Sequence, residues 1–343
     1  MATIKFNKKE VRNTFLDPGN GFARKELVLE VREDFLTGRR SRILPFRRRN
    51  ISVEETSQDV IEASKKGCPF CSPQIQSSTP KFIPEIAPEG RIHRGDAVVF
   101  PNAFPYTQYN WVIVLCEDHF LPLDRFTDKI LTDGFLAAQE GIGRLARNGP
   151  PLRYWSINWN YAPQSGGGLF HPHIQVVIEE SPTSSHQEAL TRIRGYQSEN
   201  KSVFWQDYLS EEIRLGERYL GSRGDIHFLM AFSPAGVLGE IVILFSNRFW
   251  IEELTPKDCE NFSHGLLALF RFFKAKHIES FNFALFAGSD ETVRGWIFAR
   301  LCPRMSLPPW NTSDINYFEK LHGEVICVIS PEEWSQEIKP FFG

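Results

Sequence analysis

The sequence predicts an α+β chain made of two β-β-α-β-β halves, each an antiparallel sheet with a helix on one face. Three observations carry this. An apolar strand pair followed by a polar step occurs twice, a helix start follows each time, and two more strand-like runs close each unit. In the first half the strand pair is Ala97-Val-Val-Phe100 and Trp111-Val-Ile-Val-Leu-Cys116, and the polar step is Glu117-Asp-His-Phe120. In the second half the pair is Phe228-Leu-Met-Ala-Phe232 and Glu240-Ile-Val-Ile-Leu-Phe245, followed by Ser246-Asn-Arg-Phe249. Short apolar runs of this composition fit buried strands.

Thr132 is expected to cap the first helix, which buries Phe135, Leu136, Ile142 and Leu145. Thr255 with Pro256 is expected to start the second, which buries Phe262, Leu266, Leu269, Phe270 and Phe273. Threonine suits an N-cap, proline the first helical turn, and a three-to-four spacing one buried stripe. The closing strands are 153–160 and 172–179 in the first half, and 281–287 and 296–301 in the second. Gly149-Pro150-Pro151 is then a turn inside the first unit.

The halves are matched in order and unequal in chemistry. His119 aligns with Arg248, and His171-Pro-His173-Ile-Gln175 aligns with Trp296-Ile-Phe298-Ala-Arg300, at separations of about 125–130 residues. The second half lacks the histidines, so chemistry is assigned to residues 1–195, and 196–343 form a degenerate copy. Residues before Asp96 read as an extension with a basic run of Arg39, Arg40, Arg42 and Arg47 to Arg49.

Composition narrows the function. An apolar share of 42% and a charged share of 24% are those of a soluble globular chain, and 29 Phe and 8 Trp can fill a large core. A net charge of −3 gives no general pull toward nucleic acid or anionic membrane. With no membrane-length apolar run and no signal-peptide pattern, the expected location is cytoplasmic. Six cysteines are sparse for 343 residues, which favours metal binding or free thiols over a disulfide framework.

Cys68-Pro-Phe-Cys71 is one pair with the spacing that lets two thiolates reach one zinc ion from a tight turn. A redox pair or two ordinary thiols are the alternatives. His93, His119, His171 and His173 are the available partners. If the second and fourth strands are adjacent, His119 and His171 converge on the cysteines. Four protein ligands would close the zinc site, making it a structural pin for the strand that bears His173. Otherwise His119 is a loop histidine bonded to a carboxylate.

On that strand His171, His173 and Gln175 should share one face. Pro172 cannot donate to a ladder, which places it at an edge or a bulge. An imidazole can attack phosphorus and later depart, and a hydrogen bond from its second nitrogen to a carbonyl fixes the tautomer. Gln175 can donate to a phosphate oxygen, and Gly166-Gly167-Gly168 let backbone N–H groups come close to phosphate. A second metal site on His171 and His173 is the competing reading.

At these residues the chain resembles galactose-1-phosphate uridylyltransferase and its relatives in the histidine-triad superfamily, including dinucleoside-polyphosphate and ADP-sugar phosphorylases. The resemblance runs in order through Leu36-Thr-Gly38 with Arg47, Cys68 and Cys71, the segment Val99-Phe-Pro-Asn102-Ala-Phe-Pro105, His119, Asn160 with Gly166, and His171-Pro-His-Ile-Gln175. It implies two histidine-triad-like halves and a ping-pong reaction through a covalent nucleotidyl-His173. It also implies zinc on Cys68, Cys71, His119 and His171, phosphate held by Gln175 and Arg47, a ribose or base contact from Asn102, and a homodimer.

Three departures bear on the acceptor. Gly168 stands where the uridylyltransferases carry a serine that holds the sugar phosphate. Trp296 and Phe298 stand where they carry a second metal pair, and 303–314 match no acceptor pattern. A nucleotidyltransferase using a nucleotide sugar and a phosphorylated acceptor, a phosphorylase using inorganic phosphate, and a zinc-stabilised nucleotide-binding protein without turnover all follow from this reading.

Overall fold

The computed structural model describes residues 4–47, 56–150, 152–287, 295–307 and 312–343. Arg48 and Arg49 of the basic run lie outside them. In chain order the first elements are β1 (Lys8–Asp17), β2 (Ala23–Glu33), β3 (Arg40–Ile43), α1 (Gln58–Lys65), α2 (Gln74–Ser78) and β4 (Ile92–Arg94). The first repeat follows as β5 (Ala97–Pro101), β6 (Tyr109–Val114), α3 (Asp128–Asn148), β7 (Tyr154–Tyr161) and β8 (His173–Glu179). A helical pair, α4 (Ser184–Asn200) and α5 (Phe204–Leu215), leads through β9 (Tyr219–Arg223) to the second repeat. That repeat is β10 (Ile226–Met230), β11 (Ile241–Phe245), α6 (Pro256–Ala275), β12 (Ser280–Ala287) and β13 (Phe298–Arg304). The chain closes with β14 (Ser306–Leu307), β15 (Thr312–Ser313), α7 (Tyr317–His322), β16 (Val325–Cys327) and α8 (Pro331–Ile338).

The α+β class, the element order and the antiparallel pairing of both halves agree with the sequence. The sheets do not stay separate. β7 pairs with β12, Asn160 opposite Asn282, and fuses the halves into one ten-stranded sheet of order β4-β5-β6-β8-β7-β12-β13-β11-β10-β9. The order 5-6-8-7 is mirrored by 12-13-11-10, which is the repeat written in topology. One backbone bond is reproduced in both copies: Leu115 N–H donates to the Pro172 carbonyl at 3.0 Å, and Phe245 N–H to the Ile297 carbonyl at 3.0 Å.

The residues before Asp96 are more than an appendage. β4 forms one edge of the large sheet, and β1, β2 and β3 build a second sheet completed by β16, which runs parallel to β3. The expected division at 195/196 falls within α4.

One face of the large sheet carries the main core, packed under α3 and α6, where Phe135 and Phe262 meet at 4.8 Å between ring centroids. Thr255 caps α6 as expected, in a reciprocal box with Asp258, and the five expected residues are buried. In α3 all four expected residues are buried, but the helix starts a turn earlier, at Thr127, because Leu131 also packs inward. Thr132 instead donates its hydroxyl proton to Ser263 of α6 at 3.0 Å. Among the described residues no helix is long and apolar enough to cross a membrane.

Candidate functional site

β8 sits in the middle of the large sheet, bonded to β6 on one side and β7 on the other. Pro172 therefore marks neither an edge nor a bulge. It precedes the ladder, which begins at His173, so its missing N–H breaks no strand pairing. Ile174, Val176 and Ile178 enter the main core, each at most 2% exposed, and this turns His173 and Gln175 to the opposite face. His171 lies ahead of the strand and turns toward the cysteines.

Because β6 and β8 are neighbours, the turn after β6 brings His119 beside His171, and α1 leads into the Cys68–Cys71 turn. The sulfur of Cys71 lies 3.3 Å from His119 Nδ1 and 3.5 Å from His171 Nδ1, and that of Cys68 lies 3.8 Å from His171 Nδ1. The four ligand atoms all lie within 4.8 Å of one another. A tetrahedral ion with zinc-like bond lengths separates sulfur and nitrogen ligands by about 3.5 Å, so these spacings are those of tetrahedron edges. The outer nitrogens are also fixed. His171 Nε2–H donates to the Cys116 carbonyl at 2.9 Å. His119 Nε2–H donates to Ser64 Oγ at 2.8 Å, and that hydroxyl passes its own proton to the Ile61 carbonyl. Both Nδ1 lone pairs are thereby aimed at the sulfurs, as metal ligation requires.

Burial pushes His171 down to about 4 and also lowers His119, helped there by Lys65. Burial, then the neighbouring Cys68, pushes the Cys71 thiol up to about 11. Neutral imidazoles beside the protonated Cys71 thiol are the state from which a bound cation displaces protons. The four residues therefore form a cluster that can hold a metal ion. His93 on β4 is exposed and takes no part.

His173 stands outside the cluster, so the paired-histidine metal site does not form. Its Nδ1–H donates to the His171 carbonyl at 2.7 Å, which leaves Nε2 as the nitrogen with the free lone pair. Burial lowers its pKa against the opposing effect of that bond, so the ring is held toward the neutral form. Phe70, between the two cysteines, lies edge-on to His173 at 5.2 Å and to His171 at 6.1 Å, and ties the cysteine turn to β8.

Gln175 is oriented by its neighbours. Asn102 donates to Gln175 Oε1 at 3.3 Å and Tyr106 OH donates to it at 3.1 Å. The direction is set by backbone groups: Asn102 Oδ1 accepts from Phe104 N–H, and Asn110, which takes Asn102's other donation, itself donates to the Val176 carbonyl. With its oxygen occupied, Gln175 presents its NH2 as a donor. Asn102 thus reaches Gln175 as well as lying in the expected nucleoside segment. Tyr106, Asn110, Ser64 and Phe70 are contributions that sequence reasoning missed. Only Phe70, framed by the cysteines, carried a signal.

Asn160 lies on β7, exposed on the same face. Asn158 pairs with Gln175, and this register, extended by two residues, sets Asn160 opposite His173. Gly166 caps a short turn at φ +92°, where a side chain would be strained. A Cβ on Gly167 would meet the Asn160 and Ala162 carbonyls at 3.1 and 3.2 Å, while Gly168 is open. Arg47 is not brought to this row. It closes the turn Pro45–Arg47 after β3 in the other sheet and is exposed.

No family model matches the chain. An uncharacterized protein of Archaeoglobus fulgidus is 29% identical over 318 residues, 92% of this chain and 93% of that protein. An ADP-glucose phosphorylase from Arabidopsis thaliana, solved with ADP-glucose bound, superposes with a TM-score of 0.70 at 15% identity, covering 91% of this chain and 98% of that one. A uridylyltransferase variant superposes with a TM-score of 0.65 at 16% identity, covering 91% and 98%. The chain has the fold of these uridylyltransferase and phosphorylase structures, as the resemblance in its sequence implies.

Proposed function

We propose that this protein is a nucleotidyltransferase that works through a covalent nucleotidyl-His173. The observation that carries the reading is the Nδ1–H of His173 on the His171 carbonyl, which leaves Nε2 unprotonated on the partly exposed face of β8. In the first half-reaction Nε2 attacks the α-phosphorus of a nucleotide sugar or similar donor. The N–P bond forms as the P–O bond to the leaving sugar phosphate breaks, and Nδ1 keeps its proton throughout. In the second, a phosphate oxygen of the acceptor attacks the same phosphorus and the N–P bond breaks. The NH2 groups of Gln175 and Asn160, with the backbone of Gly166, Gly167 and Gly168, would stabilise charge on the phosphoryl oxygens. Asn102 would touch the ribose or base, and Arg47 would contribute only through rearrangement of its loop.

Cys68, Cys71, His119 and His171 would hold zinc, which in a site with four protein ligands supplies rigidity and no open coordination position. The division of labour assigns chemistry to 1–195 and support to 196–343, and a homodimer belongs to the same proposal. The bound ADP-glucose of the Arabidopsis structure supports a nucleotide-sugar donor. A phosphorylase, with inorganic phosphate as acceptor, is favoured as the second reading by Gly168, which offers no side chain for a sugar phosphate.

Intact-mass measurement after incubation with UDP-, ADP- and GDP-sugars tests the proposal. One nucleotidyl group per chain, absent in His173→Ala, is the expected result. No adduct with any donor rejects the mechanism and leaves a nucleotide-binding protein. Release of nucleoside diphosphate that depends on inorganic phosphate would select the phosphorylase.

A further inference from the structure

We propose that Asn282 and Arg304, both from the second half, are positioning residues that turn Asn160 so that its NH2 faces the transferring phosphate. This rests on nucleotidyl transfer at His173. It gives Arg304, Ser313 and Asp314, from the stretch that matches no acceptor pattern, a role in the same reaction.

The argument follows the direction of each hydrogen bond. Arg304 on β13 is held by Asp314 Oδ1 at 2.7 Å and by Ser313 Oγ at 3.0 Å, and Asp314 also accepts from Met305 N–H at 3.1 Å. The guanidinium donates to Asn282 Oδ1 at 2.6 Å. Arginine has no acceptor, so the oxygen of Asn282 must face it. The NH2 of Asn282 is then committed to two acceptors, the Ser165 carbonyl at 2.9 Å and Asn160 Oδ1 at 2.7 Å. A carbonyl cannot donate, so the polarity is fixed at both ends. The oxygen of Asn160 faces β12, which leaves its NH2 on the side of β8, where the register sets His173.

The device repeats what orients Gln175. In each case a planar amide has its oxygen occupied by a chain of donors whose direction is imposed at its far end, by the Phe104 N–H for one and the Arg304 guanidinium for the other. Two acceptor-saturated amides then flank the nucleophile as donors, with no positive charge to bind the ground-state phosphate tightly. The second half, without histidines of its own in the matching strand, thus acts on the first through one row of the shared sheet.

The test is a double-mutant cycle read by the single-turnover rate of His173 nucleotidylation with ADP-glucose and with UDP-glucose. Asn282→Asp keeps the bond from Arg304 but can only accept, so Asn160 must turn its NH2 toward Asp and away from phosphate. A loss of about 100- to 1000-fold is expected, the range for removing one preorganised donor, and Asn160→Ala should lose about as much. The double variant should be no slower than Asn160→Ala alone, because Asn282 acts through Asn160. A purely structural role would give multiplying losses. Nucleotidylation by Asn282→Asp at the wild-type rate, or multiplying losses, overturns the proposal. A wild-type chain that takes up no nucleotide overturns the reading it rests on instead.

Discussion

β8 and β13 occupy matching places in the two repeats, and their surroundings have diverged. On β8, His173 and Gln175 are partly exposed beside the Cys68, Cys71, His119 and His171 cluster. On β13 the matching residues are Phe298 and Arg300. Phe298 lies 5.1 Å from Trp205 and 5.2 Å from Phe286, under α4 and α5, in an aromatic cluster that covers this part of the face. Arg300 is held by Glu240 and by Asp34, the latter at 3.1 Å, so its charge is satisfied within the fold. The same backbone scaffold thus supports a partly exposed polar row in one copy and a helix-covered aromatic core in the other. What separates them is the cover over this row: α4 and α5 bury Phe298, whereas His173 and Gln175 stay partly exposed.

The largest expected difference is chemical. His173→Ala should abolish nucleotidylation with little change in melting temperature, since the side chain is only partly buried. Phe298→Ala should keep the nucleotidylation rate within about twofold and lose about 3 kcal/mol or more of stability, the range for emptying a buried aromatic site. Denaturant unfolding and adduct formation on both variants check this. If Phe298→Ala also stops the chemistry, the copies do not divide their work in this way.

The second contrast lies in how each half is pinned. Cys71→Ser should lose about one zinc per chain and lower the melting temperature by about 5 °C or more, since bound metal contributes to folding. Cys259→Ser or Cys327→Ser should leave metal content unchanged. Metal analysis by mass spectrometry decides between these outcomes.

The second half is tied to the β1–β3 sheet by ions instead. Glu332 is partly buried, which alone would raise its pKa, yet hydrogen bonds and charge from Arg32, with Arg218 adding to them, hold it at about 2. A carboxyl depressed below its unfolded value of about 4.5 stabilises the fold above that pH and loses the effect as pH falls toward 2. Glu332→Gln should therefore cost up to about 3 kcal/mol at pH 7, and the gap from wild type should close between about pH 4.5 and 2. A gap independent of pH in urea titrations would remove the ion pair from the account.

The smallest contrast is between the helix caps. Thr255→Ala removes one half of a reciprocal box with Asp258, whereas Thr127→Ala removes a single bond to Ile130 N–H. Both should cost about 1 kcal/mol, Thr255 the more. Equal losses on denaturant unfolding would show that the box adds nothing.

Much of this was legible in the sequence because the elements concerned bury one stripe or a whole run. The repeat, α6 and the four metal-cluster residues follow from apolar spacing and ligand type. The α3 start was misplaced because Thr127 and Thr132 are both sound caps, and only the packing of Leu131 distinguishes them. β1 and β2 were missed because most of their residues on both faces are exposed, so their alternation of Val11, Leu27, Leu29 and Val31 is diluted by charges. The joining of the halves by β7 and β12 was illegible because strand partners are chosen in space. The same holds for Asn282, an ordinary amide on an ordinary strand until β12 sets it against Asn160. Arg47 had support only from the order of motifs, which does not specify which sheet a turn joins.

The central claim is that the chain forms a phosphorus–nitrogen bond at His173 Nε2. Peptide mapping by tandem mass spectrometry, at alkaline pH where phosphoramidates survive, reads this directly after incubation with ADP-glucose and, separately, UDP-glucose. The account predicts a nucleotidyl group on the peptide that contains His171 and His173, located on His173 by fragmentation. A nucleotidyl group on any other residue, or none with either donor, would contradict it.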